Sequence, residues 1–127
     1  MIGGDVLERL QFNVDFYNKA DGSKPAMDFM LNLPMKMRAK ITRTISLLES
    51  GGTDLREPHS KHLEDGIFEL RAKVGSDITR VLYFFMVGRR IILTHGFVKK
   101  TDKTPTSEIS RAKQYRYDFL SREENKQ

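Results

Sequence analysis

The chain contains no cysteine. That excludes a disulfide framework, a thiol nucleophile and a thiolate metal site, and makes a reducing, cytoplasmic setting the default expectation. No apolar run approaches the roughly 18 residues that a membrane-spanning helix needs. The secretory pattern of basic start, apolar core and small-residue cleavage site is missing too. Repeats, low-complexity tracts and linker-like stretches are also absent, so a single domain is expected over residues 1–127, with its core at about 10–120. A phosphate-binding loop, a dinucleotide fingerprint and a serine-nucleophile motif are all lacking.

What remains is the composition of an ordinary globule, 39% apolar and 31% charged, with a formal net charge of +5. The charge is unevenly placed. Residues 1–57 hold 8 basic and 8 acidic side chains, residues 58–104 hold 9 and 5, and residues 105–127 hold 5 and 4. Net charge alone predicts solubility and loose attraction to polyanions. Its concentration in one segment raises nucleic acid to the first partner to consider.

Leu10, Phe12, Val14 and Phe16 alternate with Gln11, Asn13, Asp15 and Tyr17, the period of a half-buried strand. Pro25 suits the first position of a short helix over 26–32. Pro34 restarts a longer helix to about Ser50, closed by Gly51-Gly52. Met37, Ile41, Ile45 and Leu48 form its apolar stripe, with the methionines as core filler. Lys36, Arg38, Lys40 and Arg43 read as a solvated face. Residues 52–66 read as loop, with Pro58 as breaker and Asp65-Gly66 as turn. Strands are expected at 67–74, 77–87 and 90–98, joined by Gly75-Ser76, a type II′ pair, and by Gly88-Arg89. A last helix runs from Thr106 or Ser107 to about Leu120, followed by a polar tail over 122–127.

Those two loops set a register. Arg71 then faces Arg80, Arg80 faces Phe97, and Leu82 faces His95. Alternation gathers Glu69, Arg71, Lys73, Arg80, Leu82, His95, Phe97 and Lys99 on one face. Phe68, Leu70, Ala72, Val81, Tyr83, Phe85, Val87, Ile92 and Val98 collect on the other as a core against the helices. Two opposed arginines repel unless an anion lies between them. A guanidinium pair can clamp a phosphate bidentately, with Phe97 as a stacking surface for a base. Equally, Glu69 or another carboxylate can neutralise one arginine, and then nothing binds. A one-residue slip would move the whole set to the opposite face.

Lys99, Lys100 and Lys103 form a cationic rim after the last strand. The three histidines lack metal-ligand spacing, so no metal is expected. His59 and His62, beside Lys61, read as surface residues or RNA contacts. Glu108 reads as a first-turn acid favoured by the helix dipole.

The runs FYNKADGSKPAMDFMLNLP, SKHLEDGIFELRAK, ITRVLYFF and HGFVKKTDKTPTSEISRA together resemble the RelE/HigB toxins of type II toxin–antitoxin systems, in their phage-derived HigB-like branch. The resemblance spans roughly residues 10–113. It implies an α+β, RelE-like microbial ribonuclease fold: an antiparallel sheet of about four strands with helices on one face plus a C-terminal helix. It also implies a metal-independent endoribonuclease without cofactor, cleaving mRNA on the ribosome. In that reaction the substrate 2′-OH attacks the adjacent phosphate and leaves a 2′,3′-cyclic phosphate. A helix-turn-helix antitoxin of the HigA type would neutralise the toxin, and operator DNA would be met only through that complex.

By position, the resemblance makes Arg71 and Arg80 the contacts of the scissile phosphate and Lys100, with Lys99, the basic residue after the last strand. Lys61, Lys73, Phe97 and Lys103 are the expected RNA contacts. Relatives carry a C-terminal tyrosine near the phosphate, where this chain has Lys103-Thr104-Pro105-Thr106; Tyr115 and Tyr117 come too late to replace it. His95 is the first candidate for the proton acceptor, with Lys99 or Lys100 next. Two rival readings are a ParE-like gyrase poison on the same fold and a non-catalytic module that binds nucleic acid or antitoxin.

Overall fold

The computed structural model describes residues 11–126. Within them the chain is α+β, with a five-stranded mixed sheet and three helices. In chain order these are β1 (Asn13–Phe16), α1 (Pro25–Leu31), α2 (Met35–Gly51), β2 (Ser60–Glu64), β3 (Ile67–Val74), β4 (Asp77–Met86), β5 (Arg90–Lys99) and α3 (Thr106–Asn125). The sheet order is β1-β5-β4-β3-β2. Leu10 and Gln127 lie outside the described residues.

The expected antiparallel sheet of about four strands is corrected in two ways. First, β2 forms within the segment read as loop and pairs antiparallel with β3, Lys61 beside Glu69. Four of its five residues, SKHLE, are polar and three are exposed, so the apolar alternation that marks a strand is missing. Second, β1 joins the far edge parallel to β5, Asn13 beside Arg90. Parallel pairing needs a crossover, and here the two helices and three antiparallel strands that separate β1 from β5 in sequence supply it.

The sheet is also covered on both faces. On one, α1 and α2 bury Leu70, Ala72, Val81, Tyr83, Ile91 and Leu93 against Ala26, Met37, Ile41 and Leu48. On the other, α3 covers Ile67, Leu82, Phe84 and Ile92 with Ala112, Tyr115 and Phe119. The face expected to be a basic surface is thus largely interior. Tyr17 donates to Asp118 Oδ2 at 2.6 Å, and Lys113 Nζ lies 2.6 Å from Glu64 Oε2, pinning α3 across the sheet.

The β3–β4 register is the one read from Gly75-Ser76, with Arg71 opposite Arg80 and Gly75 at φ 60°. Between β4 and β5 the expected pairs Arg80–Phe97 and Leu82–His95 also occur, for a different reason. The loop has three residues, Val87 to Arg89, and Met86 pairs with Arg90. A bulge beyond Leu82 then restores the register at Thr94, whose hydroxyl donates to Leu82 O at 3.1 Å. The bulge reverses the facing of the first half of β5, so Ile92 lies under α3 and Ile91 and Leu93 face α1 and α2. Val87, expected in the core, is 96% exposed at the turn.

Candidate functional site

The opposed arginines are the centre of the buried basic face, and one carboxylate joins them. Glu69 is fully buried; its Oε1 lies 2.6 Å from Arg71 Nε and 3.7 Å from Arg80 Nε. The segment after β5 folds over the pair. Arg71 Nη2 donates to Asp102 O at 2.5 Å, Arg80 Nη1 to Lys103 O at 3.1 Å and Arg80 Nη2 to Thr101 O. The Thr104 hydroxyl closes the cluster by donating to Glu69 Oε2. Desolvation draws the Arg80 pKa below the ordinary guanidinium value, and the Glu69 charge opposes that shift.

This corrects the expected phosphate clamp. Arg80 is wholly buried and its guanidinium faces main-chain carbonyls, with Phe97 behind it at 6.0 Å. The repulsion between the two arginines is relieved by Glu69 and by aligned carbonyl dipoles. Arg71 alone of the pair reaches the surface, its side chain 18% exposed. Phe97 is half-buried against the α3 side of the core.

Arg71 lies at the mouth of a cleft of about 310 Å³ between α2, the segment before β2 and the end of the β3–β4 hairpin. Lys40, Thr44, Pro58, His59, Lys73, Ile78 and Asp102 complete its lining. Lys40 Nζ donates to Lys73 O, and Arg71 N donates to His59 O at 2.9 Å, which ties the three elements together. Three cationic side chains and a histidine thus line one opening with a single carboxylate. Lys61, Lys99, Lys100 and Lys103 are all exposed, on β2, at the end of β5 and in the following loop.

His95, the first candidate for a proton acceptor, is not among the residues that line this cleft. It is buried beneath α3, with Nδ1 3.1 Å from Thr94 Oγ1 and Nε2 3.4 Å from Glu108 Oε1. Burial lowers its pKa to about 4, against the raising effect of Glu108. Its place beneath α3 and this shift both favour the uncharged ring away from the cleft.

Residues 28–117 match the family model described as "Phage derived protein Gp49-like (DUF891)". The chain belongs to this Gp49-like family. The family is associated with toxins of toxin–antitoxin pairs, and so with a cognate antitoxin as partner. No curated protein matches the chain. Among the described residues no helix is long and apolar enough to cross a membrane, and no cluster of His, Asp or Glu could hold a metal ion.

In this Gp49-like chain, sequence reasoning brought Arg71, Arg80 and Lys73 to one sheet face and left the cleft unseen. Lys40 read as part of a solvated helix face, and Asp102 had no role. His59 was a surface residue or RNA contact, and only the unforeseen β2 carries it to Arg71. From the sequence, Glu69 reads only as a neutraliser of one arginine. Its place between the arginines, two residues from one and diagonal to the other, was the available clue.

Proposed function

We propose that this chain is the toxin of a type II toxin–antitoxin pair, built on the RelE-like microbial ribonuclease plan, that cleaves mRNA on the ribosome in the cytoplasm. The observation that carries this reading is the basic cleft with Arg71 half-engaged at its mouth. Two of the Arg71 nitrogens are held inside, which fixes the guanidinium plane before any ligand arrives. A preset cation facing the position where charge develops lowers a barrier more than a mobile one.

The scissile phosphate sits against Arg71, with Lys73 and Lys40 adding positive charge. The substrate 2′-OH attacks the adjacent phosphorus, the bond to the 5′-oxygen of the next nucleotide breaks, and the 2′,3′-cyclic phosphate forms. His59 takes the place first given to His95 as proton acceptor, because it lines the cleft beside Arg71 and His95 does not. Arg80 and Glu69 act as positioning residues. Lys61, Lys99, Lys100 and Lys103 track the flanking backbone.

A second reading, the non-catalytic binding module, is favoured by one observation: Arg80 is satisfied internally and closed off by the loop. Transcript 5′ ends mapped after induced expression separate the two. Discrete new ends in translated messages, lost in a folded Arg71→Ala variant, support the nuclease. Growth arrest with intact messages rejects it, and arrest with broken DNA selects gyrase poisoning instead.

A further inference from the structure

A second opening, of about 460 Å³, lies where the start of α2 meets the ends of β3 and β5. Leu33, Met35, Met37, Val74 and Val98 make most of its lining. Met35 is 83% exposed and Val98 40%. Large aliphatic side chains left in water beside a groove mark a contact surface.

The groove borders the basic cleft. Lys36 lines the groove and Lys40, one turn further along α2, lines the cleft. On the hairpin, Val74 and Asp77 belong to the groove while their neighbours Lys73 and Ile78 belong to the cleft. Any segment laid along this seam meets apolar surface at one end and cations at the other. Nucleic acid does not suit the groove, whose lining has no aromatic face for a base and sets one carboxylate, Asp77, against its one cation, Lys36. A second copy suits it poorly, because it brings a further net charge of +5 to a cationic seam.

We propose that the cognate antitoxin docks along this seam. Apolar side chains of a short antitoxin segment fill the groove at Met35, Met37 and Val98, and carboxylates following them enter the cleft at Lys40 and Arg71. The groove supplies affinity, and the carboxylates occupy the place of the RNA phosphate. The second half of this statement rests on the function proposed for the cleft; the first does not.

The test uses the full chain and the antitoxin encoded by the adjacent reading frame. Met35→Glu places an acid in the first turn of α2, which the helix dipole tolerates well, and puts a charge at the most exposed apolar side chain of the groove. Titration calorimetry is expected to show a Kd raised about tenfold or more, with the melting temperature unchanged. The variant still arrests growth, and co-expressed antitoxin no longer rescues it. Rising salt weakens the unaltered complex, as carboxylates in a cationic cleft require.

Affinity within about twofold of the parental chain, in a folded variant, overturns the docking surface, as does failure of the antitoxin to bind the parental chain. Salt-independent binding overturns the acidic half. Amide exchange on the unaltered complex covers the case of a misfolded variant: protection confined to elements other than residues 33–37 and 74 rejects the seam. If the parental chain proves harmless while Met35→Glu still loses the antitoxin, the groove stands and the nuclease reading falls.

Discussion

At the scale of single residues, the Arg71–Glu69–Arg80 cluster separates two roles that one residue type was expected to share. Arg71→Ala removes a partly exposed cation and the nearer of the two cationic partners of Glu69, which keeps Arg80 and the Thr104 hydroxyl. Activity should fall about a hundredfold or more, with a smaller loss of melting temperature than Glu69→Ala shows, measured by transcript cleavage and calorimetry on one preparation. Arg80 and Glu69 behave oppositely. Removing one member of a buried ion pair leaves the other charge uncompensated, at a cost of about 3–5 kcal/mol. Glu69→Ala, which strands two guanidiniums, should therefore show its effect in urea unfolding, and Glu69→Gln should lose less because it keeps an acceptor for Thr104.

His95 gives the pH dependence. Its folded pKa of about 4 lies below the ordinary value of 6.5, so the unfolded chain takes up a proton first as pH falls. Stability is unaffected above 6.5, declines between 6.5 and about 4, and no longer changes from this source below that. The total is on the order of 3 kcal/mol, at about 1.4 kcal/mol per pH unit. His95→Gln should flatten the fall in melting temperature across this window. An unaltered slope in that variant would show that other groups carry the acid sensitivity.

At the scale of elements, two local devices decide how the sheet is used. The three-residue loop and the bulge at Thr94 cancel each other, so the inner half of β5 has one facing and the outer half the other. Gly96 lets α1 press on the sheet, because a β-carbon there would overlap the Phe29 ring. Gly96→Ala should destabilise the fold by about 1–3 kcal/mol, as overpacking does, and Phe29→Leu in the same chain should recover part of that loss in a denaturant titration. The strands β3, β4 and β5 were legible because their apolar periods are long and their turns carry glycine. The alternation over residues 10–17 marks β1 as a strand, but its parallel place beside β5 is not written in any local pattern. β2 is the obscure one, because it is mostly polar and rests on pairing to β3 more than on its own side chains.

At the scale of the whole molecule, the excess positive charge has a definite address. Lys61, Lys73, Lys99, Lys100 and Lys103 stay in solvent while Arg80 is withdrawn. Binding to single-stranded RNA should weaken with salt, and a Lys99→Ala/Lys100→Ala double variant should reduce the log–log slope by about 1.4, near 0.7 for each lost phosphate contact. Fluorescence anisotropy over a salt series measures this. An unchanged slope would place the RNA path elsewhere.

Periodicity and turn residues on their own determined the order of strands and helices from β3 to α3, the helix starting points at Pro25 and Pro34, the β3–β4 register and the opposition of Arg71 to Arg80. These follow from side-chain alternation and turn chemistry, which are local. Only the tertiary structure decided which of the aligned cations meets solvent. That outcome depends on a helix more than ten residues beyond His95 covering the second face, on a loop turning its carbonyls inward, and on one buried carboxylate shared by two arginines. Burial is a property of the assembled chain, and no local pattern carries it.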